Sequence, residues 1–535
     1  MLKNTNRLWL AAFVVGWFFD FLFWDKPAGI SFPIFVFLLV GTGLALAYGE
    51  NTPVARRSLW LLLPLGVFAL LTIIRKEPFT RFVSFSLCLA SMAILAHSFQ
   101  GGRWANYSLS DYVVGLFRLA IGAVANPFTL IAESREVQSS SEDENEDATP
   151  QRTLSWRRAL PVLRGLALAI PIVALFAALL ASADPVFSNF LDELIEIFQL
   201  ENLPEYLFRG VIIAVLAFLL AGVYIHALTR SRDEKLIGEE KPWLPSFLGF
   251  TESVVVLGSV DALFTSFVAI QFRYFFGGQE NIKIDGYTYA EYARRGFGEL
   301  VVVAFISLLL FLGLSALTRR EVKKQRTAFS TLSVILVLLV GVMLVSAFQR
   351  LLLYEAAYGF TRLRAYSHVF MIWLGLLLVG VLLLEIRRKL RAIAFIALIA
   401  TIGFGLTLNL LNVDAFIARQ NVNRTLTGEP LDSSYLSSLS NDAVPALLAV
   451  YTDLQLPNDQ EIDLGANLAC RAKILADDRE NRRWQSFHWA DWRAHRLLSA
   501  NTELFAEYSV QLSQDGVWTV DANGTERPCY QNTWD

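Results

Sequence analysis

The chain contains a succession of apolar stretches that are each long enough to cross a lipid bilayer. A bilayer core requires about twenty mostly apolar residues per helix, because backbone polar groups in lipid must be bonded within the segment. A mean hydropathy of +0.44 and an apolar share of 54% are typical of such chains. The sequence therefore predicts an all-α polytopic membrane helix bundle of about eleven spans, at 8–24, 29–48, 59–75, 81–99, 162–183, 207–228, 247–272, 296–317, 328–350, 366–386 and 392–412.

Basic residues predict the orientation of these helices, because cytoplasmic loops are rich in lysine and arginine. With the N-terminus inside, every predicted inner segment carries a basic group, whereas the outer segment 184–206 has no lysine or arginine. Arg75, Lys76 and Arg81 lie in a predicted outer turn and argue the other way. The pattern as a whole predicts an N-inside, C-outside protein.

The polarity of the segments predicts five regions. The stretch 113–132 is ambiguous because it carries Arg118, Asn126 and Pro127, and 133–151 is too acidic and polar to offset its ordering entropy. The regions are a four-helix membrane region at 1–112, an interfacial or re-entrant segment at 113–132, an acidic disordered cytoplasmic linker at 133–158, a seven-helix membrane core at 159–412 and a small, mainly helical extracytoplasmic domain at 413–535.

Two cysteines of the C-terminal region, Cys470 and Cys529, could form a disulfide if that region faces an oxidising space. The segments SVQL and VWTV near the end predict two short paired strands. We interpret the tryptophans of the same region, Trp484, Trp489 and Trp492, as core residues rather than as a platform for sugar binding.

Four stretches together resemble one bacterial family. They are YAEYARRGFGELV (289–301), LYEAAYGFTRLRAY (353–366), NVDAFIARQNVNR (412–424) and LDSSYLSSLSNDAVPAL (431–447). In this order they are similar to the multi-pass membrane proteins known as domain of unknown function 4173, and less so to the sister family 4153. The resemblance covers roughly 160–447. It implies a multi-pass protein of the bacterial cytoplasmic membrane, and it implies no catalytic residues.

Charged residues recur at the predicted outer ends of spans eight to ten, where charges must be paired or face a polar cavity. One interpretation is an outward-facing pocket for an anionic or zwitterionic group, and the other is a lattice of ion pairs that fixes helix packing. The residues are Glu291, Arg294, Arg295, Glu299, Arg350, Tyr354, Glu355, Tyr358, Arg362 and Arg364.

Three acids fall within predicted spans: Asp20, Glu252 and Asp261. Asp261 lies near the middle of span seven, where it could bind a proton or cation or could form a hydrogen bond to a neighbouring helix. Asp20 has the same two interpretations. Glu252 lies nine positions from Asp261, which places the two acids on opposite helix faces.

No nucleotide-binding, hydrolase or metalloprotease motif occurs in the sequence, so we predict no cofactor and no metal site. The net charge of −3 gives no indication of nucleic-acid binding. The leading hypothesis is a non-enzymatic envelope sensor, scaffold or assembly factor, which contacts membrane lipids and a protein partner at its outer domain. A transporter or flippase that uses the charged pocket and Asp261 is the first alternative, and a membrane-embedded transferase with a lipid-linked donor is the second.

Overall fold

The computed structural model describes residues 4–143, 203–232, 247–276, 297–320, 322–425, 431–453 and 456–529, with isolated positions at 173–187 and at 236. The predicted span 162–183 and most of the predicted linker lie outside these residues.

Eleven helices in the described part of the chain are long and apolar enough to cross a bilayer, which agrees with the predicted polytopic bundle. Ten of them coincide with predicted spans, and the eleventh lies within a helix that starts at Leu109. The short helix α3 and the helix α4 together make one of these eleven spans. In chain order the elements are α1 (Thr5–Phe23), α2 (Ser31–Gly49), α3 (Arg56–Leu59), α4 (Leu62–Ile74), α5 (Pro78–Ser98), α6 (Leu109–Asp143), α7 (Leu203–Ile225), α8 (Phe250–Phe276), α9 (Phe297–Leu317), α10 (Lys323–Tyr358), α11 (Arg362–Ile386) and α12 (Ile393–Leu411).

Helix α6 corrects the interpretation of 113–132 as a re-entrant piece, because one helix runs through this segment without a reversal and with Pro127 inside it. The helix also continues through 133–143, where the sequence predicted disorder. Extending an existing helix avoids the cost of nucleation, so even a polar segment can continue one. The alternative of an interfacial helix stays a prediction.

The described residues divide into two compact units, and the smaller one contains Leu2–Phe21 and Ala120–Ile225. Within it, α6 and α7 approach so closely that a Cβ on Gly222 would lie 2.0 Å from the carbonyl oxygen of Ala123. The amide of Asn126 donates to the carbonyl oxygen of Gly222 at 3.2 Å. Glycine at this position therefore allows the two backbones to pack.

The larger unit contains Leu22–Leu119 and His226–Asp535. Helix α10 packs against α8, α9 and α11, and α11 packs against α12. On its other side α12 contacts α5, which packs on α4, and α4 contacts α2. The membrane helices of this unit thus form a connected series of packed neighbours.

The C-terminal domain follows α12 without a flexible joint. Its elements are α13 (Val413–Thr425), α14 (Ser433–Ser437), α15 (Val444–Asp453), α16 (Asn458–Asn481), α17 (Trp489–Ser499), β1 (Ser509–Leu512), β2 (Trp518–Ala522) and β3 (Thr525–Pro528). The strands form an antiparallel sheet in the order β1-β2-β3, with Val520 opposite both Val510 and Arg527. This arrangement agrees with the predicted strand pair and adds a third strand.

One apolar core extends from the membrane helices into this domain. It includes Ala365 and Val369 of α11 and Leu408 of α12, and it continues through Ile417 to Leu468. A disulfide between Cys470 and Cys529 joins α16 to the residue after β3, with the two Cα atoms 5.7 Å apart. The domain therefore packs directly against the adjoining ends of α11 and α12.

Candidate functional site

The residues of the predicted outer charged cluster make separate contacts. Glu291, Arg294 and Arg295 lie outside the described residues, and Glu299 is exposed in the first turn of α9. Arg350 is buried and donates to Oε1 of Gln271 on α8 at 3.0 Å.

Glu355 lies five residues after Arg350 in α10, where it is buried and faces α11. Its Oε1 lies 3.1 Å from Nδ1 of His368, and the His368 ring packs edge-on against Phe348 with centroids 4.6 Å apart. This contact joins α10 to α11.

Arg364 closes the end of α10. Its guanidinium lies 4.1 Å from the ring centroid of Tyr354, and it donates to the carbonyl oxygens of Tyr358 and Gly359. Gly359 has a φ of +77°, which favours glycine, and it ends the helix. Tyr358 itself is exposed.

Arg362 points to a different partner, Asp414 in the first turn of α13. Its Nε and Nη2 donate to the two carboxylate oxygens at 2.8 and 2.7 Å, and Asp414 is 0% exposed. The backbone N–H of Ser440 donates to the same carboxylate at 2.6 Å, and Tyr435 accepts from the backbone N–H of Arg362 at 2.8 Å. A planar guanidinium and a buried carboxylate thus join α11 to the C-terminal domain through two parallel hydrogen bonds.

Asp442 forms hydrogen bonds with the turn between α4 and α5. One carboxylate oxygen accepts from the backbone N–H groups of Lys76 at 2.6 Å and Glu77 at 3.0 Å. The guanidinium of Arg75 lies 3.7 Å from the other oxygen. Burial raises the pKa of Asp442 to about 6, although the backbone donors and Arg75 oppose this shift.

Glu77 begins α5 and connects it to α11. Its carboxylate accepts from the backbone N–H groups of Phe79 and Thr80 at 2.9 and 2.7 Å, as an N-terminal cap does. The hydroxyl of Tyr366 donates to Glu77 at 2.5 Å. Glu77 therefore caps the start of α5 and binds α11 through Tyr366.

Asp491 in α17 supplies a further contact to the same turn. It accepts from Nζ of Lys76 at 3.1 Å and from the amide of Asn441 at 2.7 Å. Burial opposes ionisation of Asp491, but Lys76, His488 and the Asn441 hydrogen bond together lower its pKa. We refer to the whole set as the anchoring network; its members are Arg75, Lys76, Glu77, Arg362, Tyr366, Asp414, Asp442 and Asp491.

A cleft of about 370 Å³ opens beside the anchoring network. Arg419, Asp442, Asp453 and Arg493 line it together with Asn412, the residue that ends α12 in a left-handed conformation. Two guanidinium groups and two carboxylates suit a zwitterionic group. The composition resembles that of the predicted outer pocket, but different residues supply it.

The predicted intramembrane acids have three different environments. Asp20 pairs with Arg209 of α7, with Nε and Nη2 at 3.0 and 2.5 Å from its oxygens. Glu252 is exposed and accepts from the backbone N–H of Gly249 at the start of α8. Asp261 is 6% exposed, and neither of its oxygens has a hydrogen-bond partner among the described residues. Asp20 is thus structural, and Asp261 retains both of its interpretations.

The structure explains the basic residues that contradicted the predicted orientation. Arg75 and Lys76 face Asp442 and Asp491, and Arg81 donates to the carbonyl oxygen of Ala28. Each of these three basic side chains thus has a partner within the protein, and these partners account for the three basic residues in this turn.

The tryptophans of the C-terminal domain do not form a core, which corrects our interpretation. Trp484 and Trp489 are 55% and 46% exposed, and Trp492 is only partly buried. Their apolar rings lie at the surface because the core of the domain is filled from α13 to α16 and from β2.

Within the described residues, no three histidine, cysteine or acidic side chains come together as candidate metal ligands.

Comparison with known proteins gives one match. No curated protein and no solved structure shows significant similarity to the chain. The family described as Domain of unknown function (DUF4153) matches residues 62–450, which include the turn at Arg75–Glu77 and the partners Arg362, Asp414 and Asp442. The matching family is thus the one expected to be less similar, and membership of family 4173 is not shown. Because the match covers most of the chain, the protein is a member of the DUF4153 family.

Proposed function

We propose that this protein is a non-enzymatic recognition protein of the bacterial cytoplasmic membrane. In this proposal the C-terminal domain faces the outside, binds a ligand or a protein partner, and passes the binding event to the membrane helices. The acidic segment after α6 faces the cytoplasm, where it could pass the signal on.

The observation that supports this proposal best is the anchoring network. A domain that serves only as an appendage needs no buried ion pairs to the bundle, since such pairs carry a large desolvation cost. Here the network fixes the domain to the α4–α5 turn through Asp442 and to α11 through Asp414. A displacement within the domain would therefore move the ends of these helices.

A transporter is a second candidate, and Asp261 is the observation that favours it. An acid at this position in α8 is costly in lipid unless it exchanges a proton or binds a cation. Its two oxygens are buried and have no partner among the described residues. The two functions thus depend on different residues, which makes them separable.

A complementation experiment tests the proposal. Cells that lack the protein would express the wild type, Asp414→Asn or Asp261→Asn, and survival under osmotic and detergent challenge would be measured. Immunoblots of the membrane fraction would control for the amount of protein. We expect Asp414→Asn to fail and Asp261→Asn to restore survival, because only the first change disturbs the anchoring network. The opposite pattern would support transport and would contradict the recognition proposal.

A further inference from the structure

A second cleft, of about 300 Å³, lies in the C-terminal domain where α16 ends and α17 begins. Trp484, Trp492, Arg482 and Arg483 are among its lining residues, with His488 and Asp491. This volume is at the lower end of the range of small-molecule sites and suits a ligand of one or two sugar rings. The cleft lies outside the residues that the family model matches.

Two indole rings border this cleft. Trp484 is 55% exposed, although burying so large an apolar side chain would stabilise the fold. Trp492 packs at a tilt against Trp489, with ring centroids 4.8 Å apart, which fixes its orientation. Exposed, positioned indole faces are suited to the apolar C–H face of a sugar ring.

His488, which is one of the residues that line this cleft, has an unsatisfied acceptor. It is 4% exposed, and its Nε2 lies 3.1 Å from the carbonyl oxygens of both Thr72 and Arg75. Because both partners are acceptors, Nε2 carries the proton and Nδ1 of the neutral ring is an acceptor. Nδ1 is buried without a hydrogen-bond partner in the described part of the chain. Burial also lowers the pKa of His488 to about 4, so the ring stays neutral at pH 7. A ligand hydroxyl is the donor that this atom requires.

The charges at the cleft favour an acidic ligand. Arg482 lies 3.1 Å from Asp478 and 3.8 Å from Asp491, and Asp491 is already engaged by Lys76. The guanidinium of Arg483 forms no hydrogen bond or ion pair with the described residues, and only the backbone carbonyl of this residue is bonded, to the N–H of Ser486. A guanidinium that is not used within the protein is suited to a carboxylate or phosphate.

We propose that this cleft binds an anionic sugar, with the ring against Trp484, a hydroxyl on Nδ1 of His488 and the acidic group on Arg483. This assignment rests on the proposed recognition function, for which it names the ligand class. Such a sugar could belong to an acidic glycan or to the phosphate-linked headgroup of a lipid carrier. The second source fits the position of the cleft, because His488 contacts the end of membrane helix α4.

The test is a calorimetric titration of the full-length protein in lipid nanodiscs. A glucuronate-containing disaccharide represents the acidic glycan, and glucose 1-phosphate represents the lipid-linked sugar. Maltose controls for the sugar ring without a charge, and inorganic phosphate controls for the charge without a ring. We expect saturable binding of at least one anionic sugar, roughly tenfold tighter than either control probe.

Two variants and one matched control locate the binding. Arg483→Gln and Trp484→Leu change exposed side chains and should each weaken the affinity roughly tenfold. Arg493→Gln removes an exposed arginine that lines the other cleft, and it should leave the affinity unchanged. The unfolding temperature of each variant would verify that it is folded.

A preference for the disaccharide would assign the glycan source, and a preference for glucose 1-phosphate the lipid-linked source. The assignment is overturned if neither sugar binds up to about 10 mM, if the control probes bind equally well, or if Arg483→Gln and Trp484→Leu leave binding intact. Binding in nanodiscs does not depend on signalling, so a failure here differs from a failure of complementation in cells.

Discussion

Arg362 and Asp414 form a two-pronged ion pair that joins the first turn of α11 to the first turn of α13. The carboxylate is fully buried, and the arginine side chain retains 24% of its exposure. A buried pair of this kind contributes little net stability over an apolar contact, but it fixes one geometry because either charge alone would be left without compensation.

The first prediction follows from this pair. Asp414→Asn keeps the shape of the side chain but leaves the guanidinium of Arg362 without its counter-charge. We expect a loss of about 3 kcal/mol in the stability of the docked domain, which thermal unfolding in detergent, followed by tryptophan fluorescence, would detect.

The matched control for this variant is Asp463→Asn. Asp463 pairs with Arg527 on the surface, at 2.6 Å, with both side chains more than a third exposed. Exposed pairs contribute about 1 kcal/mol or less. Equal losses in the two variants would show that burial of Asp414 does not matter.

The second prediction concerns Gly29 in the turn between α1 and α2. A Cβ at this position would lie 2.5 Å from the carbonyl carbon of Ser486, so Gly29→Ala must separate the turn from the domain. The neighbouring hydrogen bond from the Ile30 N–H to the Phe487 carbonyl, at 3.0 Å, should open. Hydrogen exchange of a peptide that contains Ile30 would measure the loss of protection.

Gly41→Ala is the control, because a Cβ on this helical glycine meets no atom within 4 Å. Alanine should stabilise α2 locally, since its helix propensity exceeds that of glycine by about 1 kcal/mol. Unchanged exchange at Ile30 in Gly29→Ala would contradict the close docking of the turn.

The membrane spans were predictable because their signal is local. A run of about twenty apolar residues identifies a helix in lipid whatever its neighbours are. The end of α10 at Gly359 is also a local feature, because a glycine with a positive φ stops a helix whatever its neighbours are. The re-entrant interpretation of 113–132 was wrong because Pro127 lies inside a continuous helix α6 and causes no reversal of the chain.

The anchoring network was not predictable from local patterns. Lys76 and Asp442 are 366 positions apart in the sequence, and Lys76 and Asp491 are 415 apart. Only the fold brings them together, and a single sequence does not record such pairs. The one sequence signal for these contacts was the basic turn at Arg75 and Lys76, because its charges disagreed with the orientation predicted for the whole chain.

The third prediction concerns pH and His488. Its pKa is lowered by burial from 6.5 to about 4, so its contribution to stability is complete above pH 6.5 and is lost as the pH falls towards 4. Between pH 7 and pH 5 the loss is about 2 kcal/mol. His488→Gln retains a donor for the Thr72 carbonyl and does not titrate, so its unfolding temperature should fall less on acidification than that of the wild type.

Asp442 contributes with the opposite sign. Its pKa is raised to about 6, so the folded form is favoured as the pH falls through this value, and Asp442→Asn removes that gain. The pH dependence that the other titrating groups contribute is the same in each variant and in the wild type, so it cancels in the difference between their unfolding temperatures.

The outcome that would contradict the prediction for His488 is a parallel pair of pH profiles for wild type and His488→Gln. It would show that the pKa of His488 does not change on unfolding.

The fourth prediction counts thiols. Cys470 and Cys529 are bonded and Cys88 is free and buried, so denatured, unreduced protein should react with one maleimide–polyethylene glycol and reduced protein with three. The bond closes a loop of 59 residues, and its removal in Cys529→Ser should cost about 4 kcal/mol. Three reactive thiols before reduction would exclude the bond and, with it, the argument for an oxidising compartment.

The fifth prediction concerns the side of the membrane on which the residues after α6 lie. The N–H of Gly101, which follows α5, donates to the carbonyl of Ser231, which follows the helical turn His226–Arg230, so these two segments lie at the same end of the helices. The chain must therefore cross the membrane an even number of times between Gly101 and Ser231. If the segment 162–183 crosses once and α7 crosses once, α6 does not cross. Ser141 then lies on the same side of the membrane as Arg56. In a Cys88→Ser background, Ser141→Cys and Arg56→Cys should therefore be labelled only after the membrane is permeabilised, whereas Asp515→Cys should be labelled in intact cells. Labelling of Ser141→Cys in intact cells would mean that α6 crosses the bilayer, and the acidic segment would then lie beside the C-terminal domain, where it could not carry a signal to the cytoplasm.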